Sequence, residues 1–323
     1  MVLRSLALIL LAPVPSHAGV TDAVQRTVLP GYAEFTAAAA SLADAAAADC
    51  RPETLRDEWG AAFDGWMGVS YLRIGPVEDD GMALAIAYWP DPKGAVQRAV
   101  AGLLAPAGPD LADASQISEI SVAGRGLFGL ERLLFNEPQS DRSCAATRAV
   151  AADLSRMAEA TKVGWTQGYA DALTTAGATD NTLFLSAVEA RQALFTQLVT
   201  GLEFTADQRL GRPLGTFERP RPERAEAKAS GRSVRNVQLS LAALERFALA
   251  LSPDSPRTEA AFARARALAE AMSGDALSRL DDAQVWLKVD ILQQAVHAVR
   301  DAAMAEIGPA LGVGLGFNAA DGD

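Results

Sequence analysis

Histidine is almost missing from this chain: His17 and His297 are the only two in 323 residues. A zinc hydrolase takes three protein ligands rich in imidazole or thiolate, plus an activated water. Two histidines and two cysteines cannot easily supply that set, and no HExxH occurs. A Ser-His-Asp triad would have to use His297, and no serine sits in a G-x-S-x-G elbow. Lysine is scarce too, with four residues, and 40 acidic against 29 basic residues leave a net charge of −11. That balance argues against nucleic acid and anionic membrane surfaces as partners. The chain lacks a CxxC redox pair, any convincing alternating strand pattern, and any apolar run long enough to cross a bilayer.

What is present begins with a leader. Met1 to Arg4 gives a basic start, Leu6 to Val14 an apolar centre, and Ser16-His17-Ala18 small residues before a break. This is the pattern of a secretory signal peptide cut after Ala18, so the mature chain is expected at 19–323, exported and periplasmic. No cysteine lies near the cut, which disfavours a lipid anchor. Cys50 and Cys144 then sit in a compartment that permits disulfides, as one bridge or as two unrelated buried thiols.

Helical spacing recurs throughout. Val234, Val237, Leu241, Leu244 and Leu251 form one stripe; Phe184, Val188, Phe195, Leu198 and Leu202 form another. Leu154, Met157 and Trp165 mark a third helix, and Trp286, Val289, Val296 and Ile307 the last long one. Spacings of three, four and seven put each set on one face, which must pack against a neighbour. Pro52 opens a helix expected to reach Ile74, where Gly75-Pro76 stops it. The polar segment Thr175–Asn181 separates two long helices, and Pro213–Pro222 reads as an irregular crossover. The expected fold is all-α, two antiparallel helical bundles spanning 19–178 and 179–323.

Four stretches are unlike generic bundle sequence: Arg73 to Asp80 (RIGPVEDD) with Ala87 to Pro92 (AYWPDP); Gly124 to Leu134 (GRGLFGLERLL); Ser230 to Asn236 (SGRSVRN); and the ending Leu311 to Asp323 with GFNAADGD. Together, in this order, they resemble the imelysin family of exported helical bacterial proteins, formally classed as peptidases. The resemblance spans the mature chain. It implies a bilobed fold with a site where the lobes meet and, for some members, a part in iron uptake. The family's hallmark is G-x-H-x-x-E, a histidine and glutamate on one helical face that can share a metal. Here the match is Gly126, Phe128 and Glu131. Phenylalanine has no lone pair to donate.

The expected function is therefore a non-enzymatic periplasmic binding or accessory protein linked to iron uptake, its partners a small ligand or envelope proteins of iron import. A metal-dependent peptidase and a structural module of the envelope are the alternatives. Candidate ligand-binding residues are Trp89, Asp91, Arg125, Glu131 and Ser233, with Arg73 and Arg235 as supporting charges. Glu131 is the best single candidate to hold a metal ion, iron or another divalent cation. It is either an acid on a wet helix face, paired with Arg125 or Arg132, or a buried carboxylate that needs a partner. Ser233 reads as a helix N-cap or a pocket hydroxyl, and His297 as a neighbour of the core. The Glu78-Asp79-Asp80 loop reads as solvated, and Phe317 and Asn318 are expected to dock onto the body.

Overall fold

The computed structural model describes residues 18–314. The expected leader and the docking of Phe317 and Asn318 lie outside the described residues. All regular elements among the described residues are helical, apart from one isolated bridge between Thr216 and Arg219. No helix among them is long and apolar enough to cross a membrane.

The described residues open as one helical rod: Ala18–Ala23, a π-helical stretch Val24–Val28, then α1 (Leu29–Ala48). α1 packs against α2 (Pro52–Met67) and α5 (Asp141–Gly164), and α4 (Gly126–Phe135) lies across α2 and α5; α3 (Ala95–Leu104) leans on α4. The second antiparallel bundle comprises α6 (Ala187–Glu203), α7 (Ser233–Leu251), α8 (Pro256–Glu270) and α9 (Ala283–Leu311). Here α8 and α6 flank α9, and α7 packs on α8. The rod's first turns, Ala18–Ala23, lie on α7 rather than on the helices that follow them in sequence. The buried side chains form one continuous cluster through both bundles.

Local chemistry accounts for the helix ends. Proline occupies the first turn of α2, where no hydrogen bond is lost. Ser140 and Ser143 form a reciprocal cap on α5. Asp282 accepts from the Gln284 and Val285 amides to start α9. The sequence stripes are buried as expected with two exceptions: Trp286 is only half-buried, and Val188 is 48% exposed. The helix of Val188 starts only at Ala187, capped by Ser186, so Val188 falls on the outer side of a first turn.

The helix expected to reach Ile74 stops at Met67. Gly68 closes it, and tight turns (Val69 to Trp66, Leu72 to Val69) carry the chain across to α6, where the Arg73 amide donates to Gln197 Oε1 at 2.7 Å. Cys50 and Cys144 are joined, with Cα atoms 5.2 Å apart, and fasten the α1–α2 corner to the start of α5.

Candidate functional site

The family-like helix α4 begins at Gly126 with φ +58°, and a Cβ there would sit 2.2 Å from the carbonyl oxygens of Ala85 and Ile86. Only glycine allows both the backbone angle and that close approach. The turn sends the extended residue before it, Arg125, one way and the face carrying Phe128 and Glu131 another. That face forms a wall of a cleft of about 800 Å³. Trp89, Asp91, Phe128 and Glu131 all line it, facing Arg212 and the segment 223–229.

Phe128 is 6% exposed and meets Phe63 edge-on, ring centroids 5.5 Å apart. Glu131 is 7% exposed, so it is a buried carboxylate and not an acid on a wet face. Its Oε1 accepts two hydrogens from one residue, the Ser230 amide at 2.9 Å and the Ser230 hydroxyl at 2.7 Å. Burial pushes the Glu131 carboxyl above the ordinary glutamate range, and the Ser230 hydrogen bonds offset only part of that.

Trp89 meets Phe204 edge-on at 5.8 Å. Asp91 is occupied structurally, accepting from the Ala95 and Val96 amides at 2.8 and 2.9 Å to cap α3.

The other expected site residues lie elsewhere. Arg125 does not reach Glu131. It grips Asp153 of α5 through two hydrogen bonds, Nε at 2.7 Å and Nη2 at 3.1 Å, because its extended backbone directs the side chain towards that helix. Arg132, the other partner considered for Glu131, pairs with Glu137 instead. Ser233 is buried, but the cap position of α7 belongs to Arg232; the Ser233 hydroxyl donates to the Glu226 carbonyl. Arg235 is exposed and joins Arg232 on Asp64. Arg73 lines a separate cavity. His297 is partly exposed beside the buried Val296, with Nε2 2.9 Å from Asp207 Oδ1. The Glu78-Asp79-Asp80 loop is exposed, as expected.

Sequence reasoning missed the polar network beneath the cleft. Arg209 pairs with Glu226 (Nε to Oε2, 2.9 Å), Asn236 donates to the same oxygen at 3.0 Å, and Arg232 donates to Asn236 and to the Gly60 carbonyl. The Arg232 guanidinium also lies 4.6 Å from the Phe63 ring centre. These contacts fix segment 226–233, and that is what sets Ser230 against Glu131. The only sequence signal was position: Ser230 opens one of the four atypical stretches, while nothing around Glu226 or Arg209 marks burial.

Does this site suit a metal ion? The imidazole position holds Phe128, Glu131 already takes two hydrogens, and Asp91 is committed to helix α3. Among the described residues no cluster of three or more His, Cys, Asp or Glu side chains is arranged to hold an ion. The donor set does not fit.

An all-α, two-bundle body carrying a G-x-F-x-x-E helix on a cleft wall is thus the class of protein in hand. The Imelysin family model matches residues 28–303, and the chain belongs to that family. Among curated proteins it is similar to Iron-regulated protein A of Synechococcus elongatus, 27% identical over 233 residues, which is 67% of this chain and 59% of that protein's length. In fold it is similar to an imelysin-like protein from Psychrobacter arcticum (TM-score 0.80, 21% identity, 96% of this chain and 100% of that one). It is also similar to a structure described as an iron-regulated protein A precursor from Parabacteroides distasonis (TM-score 0.67, 13% identity, 89% and 94% of the two chains).

The carboxyl of Glu131 gives a test of its burial. The folded state holds this proton more tightly than the unfolded chain, so ionisation costs stability. That cost is absent below the ordinary glutamate value of 4.5 and grows as pH rises towards the raised folded value. Glu131→Gln keeps an oxygen to accept from Ser230 and cannot ionise. Urea unfolding from pH 4 to 8 should show the variant gaining on the parent as pH rises; parallel curves would contradict the burial argument.

Proposed function

We propose that the chain is an exported, periplasmic accessory or binding protein of iron acquisition without peptidase chemistry, and that its cleft takes a small ligand bringing its own donor atoms in place of a bare cation. One observation carries this reading: on the cleft wall the ligand position is Phe128, and its partner Glu131 is already engaged by Ser230. The cleft also presents the aromatic Tyr88 and Trp89 together with Arg212, Arg224 and Lys228. Aromatic faces beside guanidinium groups suit an organic chelate with carboxylates better than a naked metal ion. The name of the Synechococcus relative supports an iron context.

Calorimetry on the purified mature chain tests this. Iron(II) and zinc salts should give no 1:1 binding, whereas ferric citrate should bind and lose at least tenfold in affinity when Arg224 and Lys228 are both replaced by alanine. Phe128→His, which restores the imidazole three residues before Glu131, should gain zinc binding that the parent lacks. If the parent binds bare metal 1:1, loses it in Glu131→Ala and cleaves unfolded substrates with it, the chain is a metal-dependent peptidase instead.

A further inference from the structure

A second cavity, of about 290 Å³, lies behind Phe204 and shares no lining residue with the cleft. Its walls come from both bundles: Ser70, Tyr71 and Arg73 from the turns after α2, and Gln197, Thr200 and Arg209 from α6 and the π-helical stretch Phe204–Gly211. Two arginines therefore line one small space, and their circumstances differ. Arg209 is neutralised by Glu226. Arg73 has a cation–π contact with Trp66, 5.7 Å from guanidinium carbon to ring centre, and no carboxylate within ion-pair distance among the described residues. Glu78 and Glu226 act on it only at longer range, and Arg209 repels it.

The remaining polar atoms are donors as well. Gln197 spends its oxygen on the Arg73 amide, which leaves its nitrogen without an acceptor among the described residues. The Ser70 hydroxyl accepts weakly from Arg209 at 3.5 Å and keeps its own hydrogen. Arg73 is half-buried, and an arginine keeps its proton there. A half-open cavity with one positive charge that no carboxylate pairs, and with further donors around it, is complementary to an anion.

We propose that this cavity is a binding site for one small oxyanion, a carboxylate or a phosphate group, held by the Arg73 guanidinium with the Gln197 amide and the Ser70 hydroxyl as further donors. Its volume is at the small end for ligand pockets, which limits the occupant to a few heavy atoms. The site is independent of the cleft reading, since neither Arg73 nor Gln197 touches the cleft.

Thermal unfolding of the mature chain in sodium phosphate, sodium malonate and sodium chloride at equal ionic strength tests the proposal. Phosphate and malonate stabilise most proteins by exclusion, so the signal is the difference between parent and variants. At about tenfold over the dissociation constant the parent should gain roughly 3 °C more than Arg73→Gln. Thr200→Leu keeps both arginines but fills the cavity, should lose the same increment, and serves if Arg73→Gln does not fold. A response to phosphate alone assigns a phosphate group, to malonate alone a carboxylate, and to both a general oxyanion site. Equal shifts in the parent and in the folded variants overturn the proposal. The increment that Arg73→Gln removes should persist in the Arg224→Ala background, which separates this site from the cleft.

Discussion

Glu226→Ala is expected to destabilise the protein by about 3–5 kcal/mol, read from urea unfolding at neutral pH. The side chains of Arg209 and Glu226 are each only 6% exposed, and Glu226 Oε2 receives both Arg209 Nε and Asn236 Nδ2. Removing the carboxylate leaves a guanidinium in the interior with contacts to Ser240 and Ser70 of 3.5 Å, at the edge of hydrogen bonding. It also strips Asn236, fully buried, of its acceptor. The cost is that of a stranded charge more than of a lost attraction. The double variant Glu226→Ala with Arg209→Met should therefore recover much of the loss, because no charge remains to be stranded. A loss below about 1 kcal/mol in the single variant would mean that water reaches Arg209 and that the network is not sealed.

Removing the Cys50–Cys144 bridge should cost about as much by a different route. The two cysteines are 94 residues apart in sequence. Closing a loop of that length restricts the unfolded chain by about 4–5 kcal/mol on the chain-entropy account. Cys50→Ala with Cys144→Ala is expected to lower the melting temperature by roughly 10 °C. The fold should survive, because the α1–α2–α5 contacts beneath the bridge are apolar and independent of it. An unchanged melting temperature would place the loss elsewhere, in a denatured chain already held compact at that corner.

The all-helical architecture was legible because periodicity is a property of nearest neighbours along a helix: Val234, Val237, Leu241, Leu244 and Leu251 identify their buried face without knowledge of what covers it. Val188 shows the limit, since a stripe does not say where a helix begins. The cleft was legible in part. Trp89, Asp91 and Glu131 converge on it, and Phe128 stands beside Glu131 as the spacing required. Arg125 was misplaced because adjacency in sequence says little about direction once a residue with positive φ intervenes, and Gly126 turns the chain there. The partners of the buried charges were beyond reach. Asp153 for Arg125, Glu226 for Arg209 and Ser230 for Glu131 are brought together from 28, 17 and 99 residues away. Each is an ordinary polar residue whose burial only tertiary packing creates.

The opening rod has a topological consequence. Its first part, Ala18–Val28, rests on α7 and its remainder, α1, on α2 and α5, so a single continuous strut bridges both bundles. Gly19 sits so close to α7 that a Cβ on it would lie 2.3 Å from the Leu251 carbonyl oxygen. Neither bundle can swing away from the other without bending that strut or tearing its tip from its seat. Entry of a guest into the space between them would thus rely on movement of side chains and of the rim segments, with the two halves keeping their mutual orientation like pages held by one spine.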